Sequence, residues 1–321
     1  MRTYILRRLL ISFPLLLAIS FITFLFIQLA PGDYFDTLRL NPQISPETIR
    51  MYEVQYQLDK PWIIQYLCWL KNILKLDLGY SFTQKNPVTK VIKSRIGNTL
   101  LLSFSSLLFT WLIAIPLGIF CAIKQYRFWD RLFSAFSFIG LSIPSFFLAI
   151  LLLFIASLTG IFPTGGMRSA NFEEFNFFIK IIDILKHLAI PTIVVSLGAI
   201  ASLQRIMRGN MLEVLRQRYI LTARAKGLPE RRVLYTHALK NAINPLITIF
   251  GYHLSDILSG AALTEIICNW PGLGSVMLSA VRSQDIYLVM GTMLISGVML
   301  IIGNLVADVL LAWFDPRIRY E

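Results

Sequence analysis

The sequence predicts an all-α, polytopic membrane protein with six transmembrane helices and both termini on the cytoplasmic side. Three observations predict it. Of 321 residues, 56% are hydrophobic and only 15% are charged, against roughly 25% charged in average proteins. Mean hydropathy is +0.65. The charges are also segregated, so that long uncharged runs alternate with short charged ones, the pattern expected where lipid is the second solvent. This composition excludes a soluble enzyme, a secreted disulfide scaffold and a disordered tail. Cys68, Cys121 and Cys268 are scattered without paired ligand spacing, so no metal site is expected.

The first uncharged run, Leu9 to Ala30, has 22 residues. At ~1.5 Å per residue it reaches about 33 Å, enough to cross a bilayer. It is longer than the apolar stretch of a secretory signal and lacks a small-residue cleavage site, so it reads as a retained helix ended by Pro31-Gly32. Further runs cover Asn98 to Ile123, Leu132 to Leu158, Leu188 to Gln204, Pro245 to Ile267 and Tyr287 to Ala307, the last extending to Trp313. Pro116 and Pro144 fall inside the second and third spans, where neighbouring helices can satisfy the freed backbone groups. The chain is thus organised as 1–30 (cytoplasmic N-terminus and span 1), 31–97 (an extracytoplasmic helical segment), 98–313 (a transmembrane core with a cytoplasmic loop at 205–244) and 314–321 (a cytoplasmic C-terminus).

Lys and Arg set the orientation. With the N-terminus inside, the cytoplasmic pieces hold 17 of the 30 Lys and Arg at more than twice the outer density, and only five of the 18 acids. The net charge of +12 is therefore a topology signal and not a nucleic-acid footprint.

The 31–97 segment is too long for a simple loop and should carry structure. Ser45-Pro46-Glu47 reads as a helix start, with Ser at the N-cap, Pro at N1 and an acid in the first turn. A second start is placed at Asp59 before Pro61, followed by a stripe of Trp62, Ile63, Tyr66, Leu67, Leu70, Ile73 and Leu74. That helix either lies on the outer membrane surface or a partner, or packs on its own bundle. Val88 to Ile96 reads as a short helix leading into span 2.

The 205–244 loop is strongly basic. Helix formers run up to Lys226, Gly227 sits where a helix C′ residue turns left-handed, and Leu228 supplies the C″ contact. Pro229 opens the next helix at N1 with Glu230 behind it. A rigid basic hairpin of this kind suits docking into a groove of another protein; a solvated basic loop is the alternative.

This segment resembles the permease subunits of ABC importers, specifically the B-type subunit of the dipeptide/oligopeptide/nickel permease family. Thr222-Ala223-Arg224-Ala225-Lys226-Gly227-Leu228 is similar to that family's cytoplasmic "EAA" loop, and His237-Ala238-Leu239-Lys240-Asn241-Ala242 continues the match. Leu221-Thr222-Ala223 stands where the general loop begins Glu-Ala-Ala, a departure that favours the peptide group over sugar or amino-acid permeases. The resemblance covers nearly the whole chain. Arg7-Arg8-Leu9 with Leu29-Ala30-Pro31-Gly32-Asp33, then Leu78-Gly79-Tyr80-Ser81, Ile143-Pro144-Ser145-Phe146-Phe147 and Phe162-Pro163-Thr164-Gly165-Gly166 follow in order. Glu265 with Trp270-Pro271-Gly272-Leu273-Gly274, and Asp315-Pro316-Arg317-Ile318-Arg319-Tyr320, complete it.

The resemblance implies the binding-protein-dependent permease fold and a subunit that moves di- or oligopeptides across a bacterial cytoplasmic membrane by alternating access. It implies a second homologous permease (a heterodimer), two ABC ATPase subunits carrying ATP and Mg, and an extracytoplasmic binding protein. The same machinery could carry a nickel chelate or glutathione. This chain has no G-x-x-x-x-G-K-[ST] phosphate loop, so it is expected to hold no cofactor, no metal and no catalytic residue, and to be no enzyme by itself. Its partners are then those proteins, peptide and membrane lipid, with no nucleic acid. The resemblance implies an ATPase-coupling loop of Tyr219, Thr222, Ala223, Arg224, Ala225, Lys226, Gly227, Leu228, Arg231 and Arg232. Ionisable groups in spans are functional candidates: His253 and Asp256 share a face at i, i+3 and either line the substrate path or bond between helices. Glu265, Trp270, Pro271, Gly272 and Gly274 form an outer turn that either gates and contacts the binding protein or packs as a re-entrant piece. A secondary transporter and a membrane enzyme are the rival classes, but no internal repeat is visible, and the His, Asp and Glu in the spans are few and scattered rather than clustered at one depth.

Overall fold

Helices make up nearly all the regular structure in the computed structural model, which describes residues 2–39, 45–246, 249–250 and 262–314. In chain order they are α1 (Arg2–Leu29), α2 (Tyr34–Arg39), α3 (Pro46–Gln55) and α4 (Trp62–Ile73), then the hairpin β1 (Tyr80–Ser81) and β2 (Asn86–Pro87). The core helices follow: α5 (Val88–Ile123), α6 (Phe128–Ser142), α7 (Ser145–Thr159), α8 (Phe177–Leu215) and α9 (Arg218–Ala225). Next come α10 (Glu230–Arg232), a π-helical Val233–Ala238, α11 (Leu239–Ala242), α12 (Ala262–Ile267), α13 (Leu273–Arg282) and α14 (Ile286–Phe314).

Among the described residues, α1, α5, α8 and α14 are long and apolar enough to cross a membrane. The expected third span is not one helix. It breaks into α6 and α7, bent by 105°, because Ile143 before the proline is extended (φ −83, ψ 120) and Pro144 caps the next helix instead of continuing the first. Pro116 stays inside α5, and Pro14 and Pro191 inside α1 and α8. The expected fourth span is longer at both ends: α8 starts where Asn176 Oδ1 accepts the Ile179 N–H at 3.0 Å and continues through Gln204 to Leu215. The expected fifth span lies mostly outside the described residues, which include its start and α12. The short helix expected at 88–96 is continuous with α5.

Contacts divide the chain into two units, residues 1–99 with 271–301 and residues 100–270 with 302–321. In the first, α3 starts as its sequence requires, with Ser45 Oγ accepting the Thr48 N–H at 3.2 Å. The second start is shifted: Pro61, not Asp59, occupies the cap before Trp62. On α4, Tyr66 and Trp69 turn inward onto Phe24, Ile286 and Met290. Leu78-Gly79-Tyr80-Ser81 has a structural reason. Gly79 is left-handed (φ 94), and a Cβ there would lie 2.9 Å from the Tyr287 ring. The buried Ser81 hydroxyl donates to Asp285 at 2.7 Å, and the Thr83 N–H donates to the same oxygen at 3.0 Å. Asp285 stands at the start of α14, where its other oxygen accepts the Leu288 N–H at 3.3 Å.

In the second unit α5 and α8 cross closely. A Cβ at Gly118 would lie 2.8 Å from the Gln204 carbonyl oxygen and 2.6 Å from Met207 Cβ. Ala114, Ile119 and Ala122 of α5 pack there with Leu203, Met207 and Met211 of α8. The α6 helix is fixed to α8 twice: the Ser137 hydroxyl donates to Gln204 Oε1 at 2.9 Å, and Arg208 forks onto Asp130 at 2.6 and 2.7 Å.

Asp285→Ala leaves the buried Ser81 hydroxyl and the Thr83 amide without their acceptor. It should cost about 2–3 kcal/mol of stability, read as a lowered unfolding midpoint in detergent. A midpoint equal to the parent's would refute this role for Asp285.

Candidate functional site

The hairpin at 218–242 is built from its turn outward. The Gly227 N–H donates to the Arg224 carbonyl at 2.9 Å, and the Leu228 N–H reaches back to the Ala223 carbonyl at 3.3 Å. These are the two bonds of a Schellman C-cap, which needs a left-handed C′ residue. Gly227 has φ +74 and open space around a would-be Cβ, so the demand for glycine is conformational and not steric. Pro229 is the N-cap of α10, one position before the expected N1, and its carbonyl accepts the Arg232 and Val233 N–H groups at 2.8 and 3.1 Å.

One face of the hairpin is core. Ile220, Ala223, Val233, Ala238 and Ala242 are buried with Met207 and Met211 of α8, and Leu228 packs against them. The small Ala223 lets α9 approach; Ala225 is exposed. The opposite face carries Tyr219, Leu221, Thr222, Lys226, Arg231, Arg232 and Tyr235, all exposed. Arg231 and Arg232 line a cavity of about 470 Å³ with Pro229, Tyr235 and Thr236. Arg224 is engaged differently from its basic neighbours: its guanidinium forks onto Glu230 across the turn at 2.6 and 3.1 Å. Asn241 Nδ2 donates to the Tyr219 hydroxyl at 3.0 Å and ties the two arms together.

The Asp130–Arg208 clamp between α6 and α8 is not legible in the sequence as a pair. Asp130 is buried and also accepts the Tyr126 N–H at 2.9 Å. The Arg208 hydrogen bonds hold its carboxyl below the usual carboxylate range, against the opposing effect of burial. The only sequence signal was a lone acid in the basic 124–131 piece.

The residues of the outer turn are divided between the two units, and each part has its own contacts. Trp270 is fully buried with Leu102 and Leu188, Glu265 is buried, and the Trp270 N–H donates to the Glu265 carbonyl at 2.7 Å. Gly165 (φ 146) brings its backbone against the Cys268 carbonyl, which accepts the Gly166 N–H at 2.9 Å. In the other unit Asn98 Nδ2 donates to the Pro271 carbonyl at 2.8 Å, and Thr99 Oγ1 accepts the Leu273 N–H at 2.8 Å. Gly272, buried and extended, caps α13, and Gly274 is half-buried in its first turn. His253 and Asp256 lie outside the described residues.

Residues 114–320 match the family described as the binding-protein-dependent transport system inner membrane component. Residues 1–103 match that family's N-terminal component. The chain belongs to this family. As a member of it, the chain is a multi-pass membrane protein of the ABC permease class. It is similar to the oligopeptide transport system permease protein AppB of Bacillus subtilis (strain 168), 42% identical over 322 residues and covering 100% of both chains. It is similar also to the dipeptide transport system permease protein DppB of Escherichia coli (strain K12), 34% identical with 100% of both chains covered. Inward-facing structures of the MetNI methionine ABC transporter share the fold, with a TM-score of 0.51 at 17% identity over 69% of this chain and 97% of that one.

Asp130's folded pKa is depressed, so its contribution to stability is present above the unfolded value of about 4 and is lost as pH falls through the folded value. The stability gap between parent and Asp130→Asn should hold constant from about pH 5 to 8 and shrink below about pH 4. A gap that grows on acidification would contradict the Asp130–Arg208 assignment.

Proposed function

We propose that this permease imports di- or oligopeptides across a bacterial cytoplasmic membrane, with both termini in the cytoplasm. ATP hydrolysis is left to partner subunits. The observation that carries this reading is the end-to-end similarity to relatives named as oligopeptide and dipeptide permeases, with equal coverage of both chains. The absence of a phosphate loop from the sequence fits the division of labour, and the Lys and Arg excess in 1–8, 124–131, 205–244 and 314–321 supports cytoplasmic termini. The assembly is then this chain, a second permease related to it, two ATPases with their ATP and Mg, and an extracytoplasmic protein that delivers peptide. This chain holds no cofactor of its own.

The hairpin is the coupling element. Its buried face makes it move with α5 and α8, and its exposed face offers Tyr219, Lys226, Arg231 and Arg232 to the ATPase. Arg224, exposed on the same loop, is offered to the ATPase as well and also braces the turn through Glu230. When the ATPases close, a hairpin that cannot bend would transmit their displacement to the spans and exchange inward-open for outward-open. Glu265, Trp270, Pro271, Gly272 and Gly274 are the candidates for the outer gate, and His253 and Asp256 are candidates for the peptide path.

A Gly227→Val chain should insert and assemble yet lose ATP-driven peptide uptake in proteoliposomes, because a left-handed backbone costs a non-glycine residue about 1–2 kcal/mol and more when β-branched. Uptake at the parental rate would rule out the hairpin as the coupling element. Recovery of the chain without any ATPase, still transporting, would contradict the division of labour.

A further inference from the structure

We infer that α4 is an interfacial helix seated in the outer leaflet, with one stripe on lipid acyl chains and its lysines on lipid phosphates. The inference goes beyond the transport function and rests on the depth at which α4 meets α1. The uncharged run of α1 spans residues 9–30, and Ser20 lies at its centre. The Tyr66 hydroxyl of α4 is 2.8 Å from Ser20 Oγ and 3.3 Å from the Leu17 carbonyl. Its ring packs on Phe21 and Phe24, each with centroids 5.4 Å away. One residue earlier on α4, Gln65 Oε1 accepts from Gln28 at 3.2 Å, near the outer end of α1.

The contacts of α4 therefore run along the outer half of a spanning helix. Ser20 stands about 15 Å in from the end of the uncharged run, half the thickness of a ~30 Å hydrocarbon core. A surface at that level faces lipid unless protein covers it. Within this unit, α4 leaves a second apolar stripe uncovered beside its buried one. Ile63, Leu67 and the C-cap residue Leu74 are 53%, 57% and 84% exposed, at i, i+4 and i+11 on one side of the helix. That stripe has the composition of the lipid-facing side of α1, where Ile22 and Phe26 are likewise exposed.

The charges agree with lipid as the occupant. No acid lies on α4. Lys71 borders the stripe, and Lys60 and Lys75 flank the helix with Asp59 and Asp77 just outside them, all exposed. Lysine stems of this length run along apolar surface and carry the ammonium up to the phosphate level, the pattern of helices that lie in a membrane interface. A helix held in this way fixes the height of the extracytoplasmic segment above the outer end of α1.

The test uses the full-length chain in its assembled transporter in phospholipid vesicles, with native cysteines replaced. Single cysteines at Leu67, Leu74 and Glu47 (on α3) carry nitroxide labels. Collision with oxygen, which partitions into lipid, is compared with collision with a water-soluble nickel chelate. Labels at 67 and 74 should show at least severalfold higher oxygen-to-nickel accessibility ratios than the label at 47. Nickel accessibility at 67 and 74 equal to that at 47 would place the stripe in water and overturn the inference. Exclusion of both reagents would overturn it too, by showing protein over the stripe. Two label sites on an already exposed face keep the outcome readable if one variant fails to assemble.

Discussion

The close crossing of α5 and α8 at Gly118 is the constraint on which the second unit rests. Helices pack at this separation only where one side contributes no side chain, and here the neighbour is backbone, the Gln204 carbonyl. The crossing places Ala114, Ile119 and Ala122 against Leu203, Met207 and Met211, and the same surface then receives Ile220, Ala223 and Val233 of the hairpin. The hairpin is therefore an extension of the membrane core and not a loop hung from it. Its apolar face is buried by the helices that cross the bilayer, while its basic face stays exposed.

Polar groups hold this arrangement where packing alone would allow sliding. Arg208 and Asp130 lock α6 to α8, and Arg224 and Glu230 brace the turn of the hairpin. The first pair is largely buried, and removing one partner strands the other, a large penalty. The second is exposed on both sides, so its contribution is small and mainly geometric. In the other unit Asp285 has a comparable role, gathering Ser81, Thr83 and the start of α14 through one carboxylate.

The local features of the hairpin were legible because local chemistry sets them: Gly227 follows a run of helix formers, and the left-handed turn is where glycine is required. The ends of the spans were less legible. Charge marks where water begins, not where hydrogen bonding stops, so α8 runs past Gln204 through Arg205 and Arg208 to Leu215. The bend at Pro144 is not legible because proline in a span has two outcomes. Pro14, Pro116 and Pro191 remain within helices, while Ile143 turns extended and the chain starts a new helix at Ser145. Nothing in the flanking composition separates these cases. The Asp130–Arg208 and Ser81–Asp285 pairs lie 78 and 204 residues apart in sequence, beyond the reach of periodicity.

The central claim is that the hairpin is as rigid as the core it packs on. Hydrogen exchange of the assembled transporter, read peptide by peptide, tests it most directly. The account predicts that the amides of Gly227 and Leu228, both donors in the Schellman turn, and those of Val233 to Ala242 exchange as slowly as those of α8 around Met207. Exchange of the hairpin within seconds while α8 remains protected would contradict it, because a segment that opens freely cannot carry a displacement into the membrane.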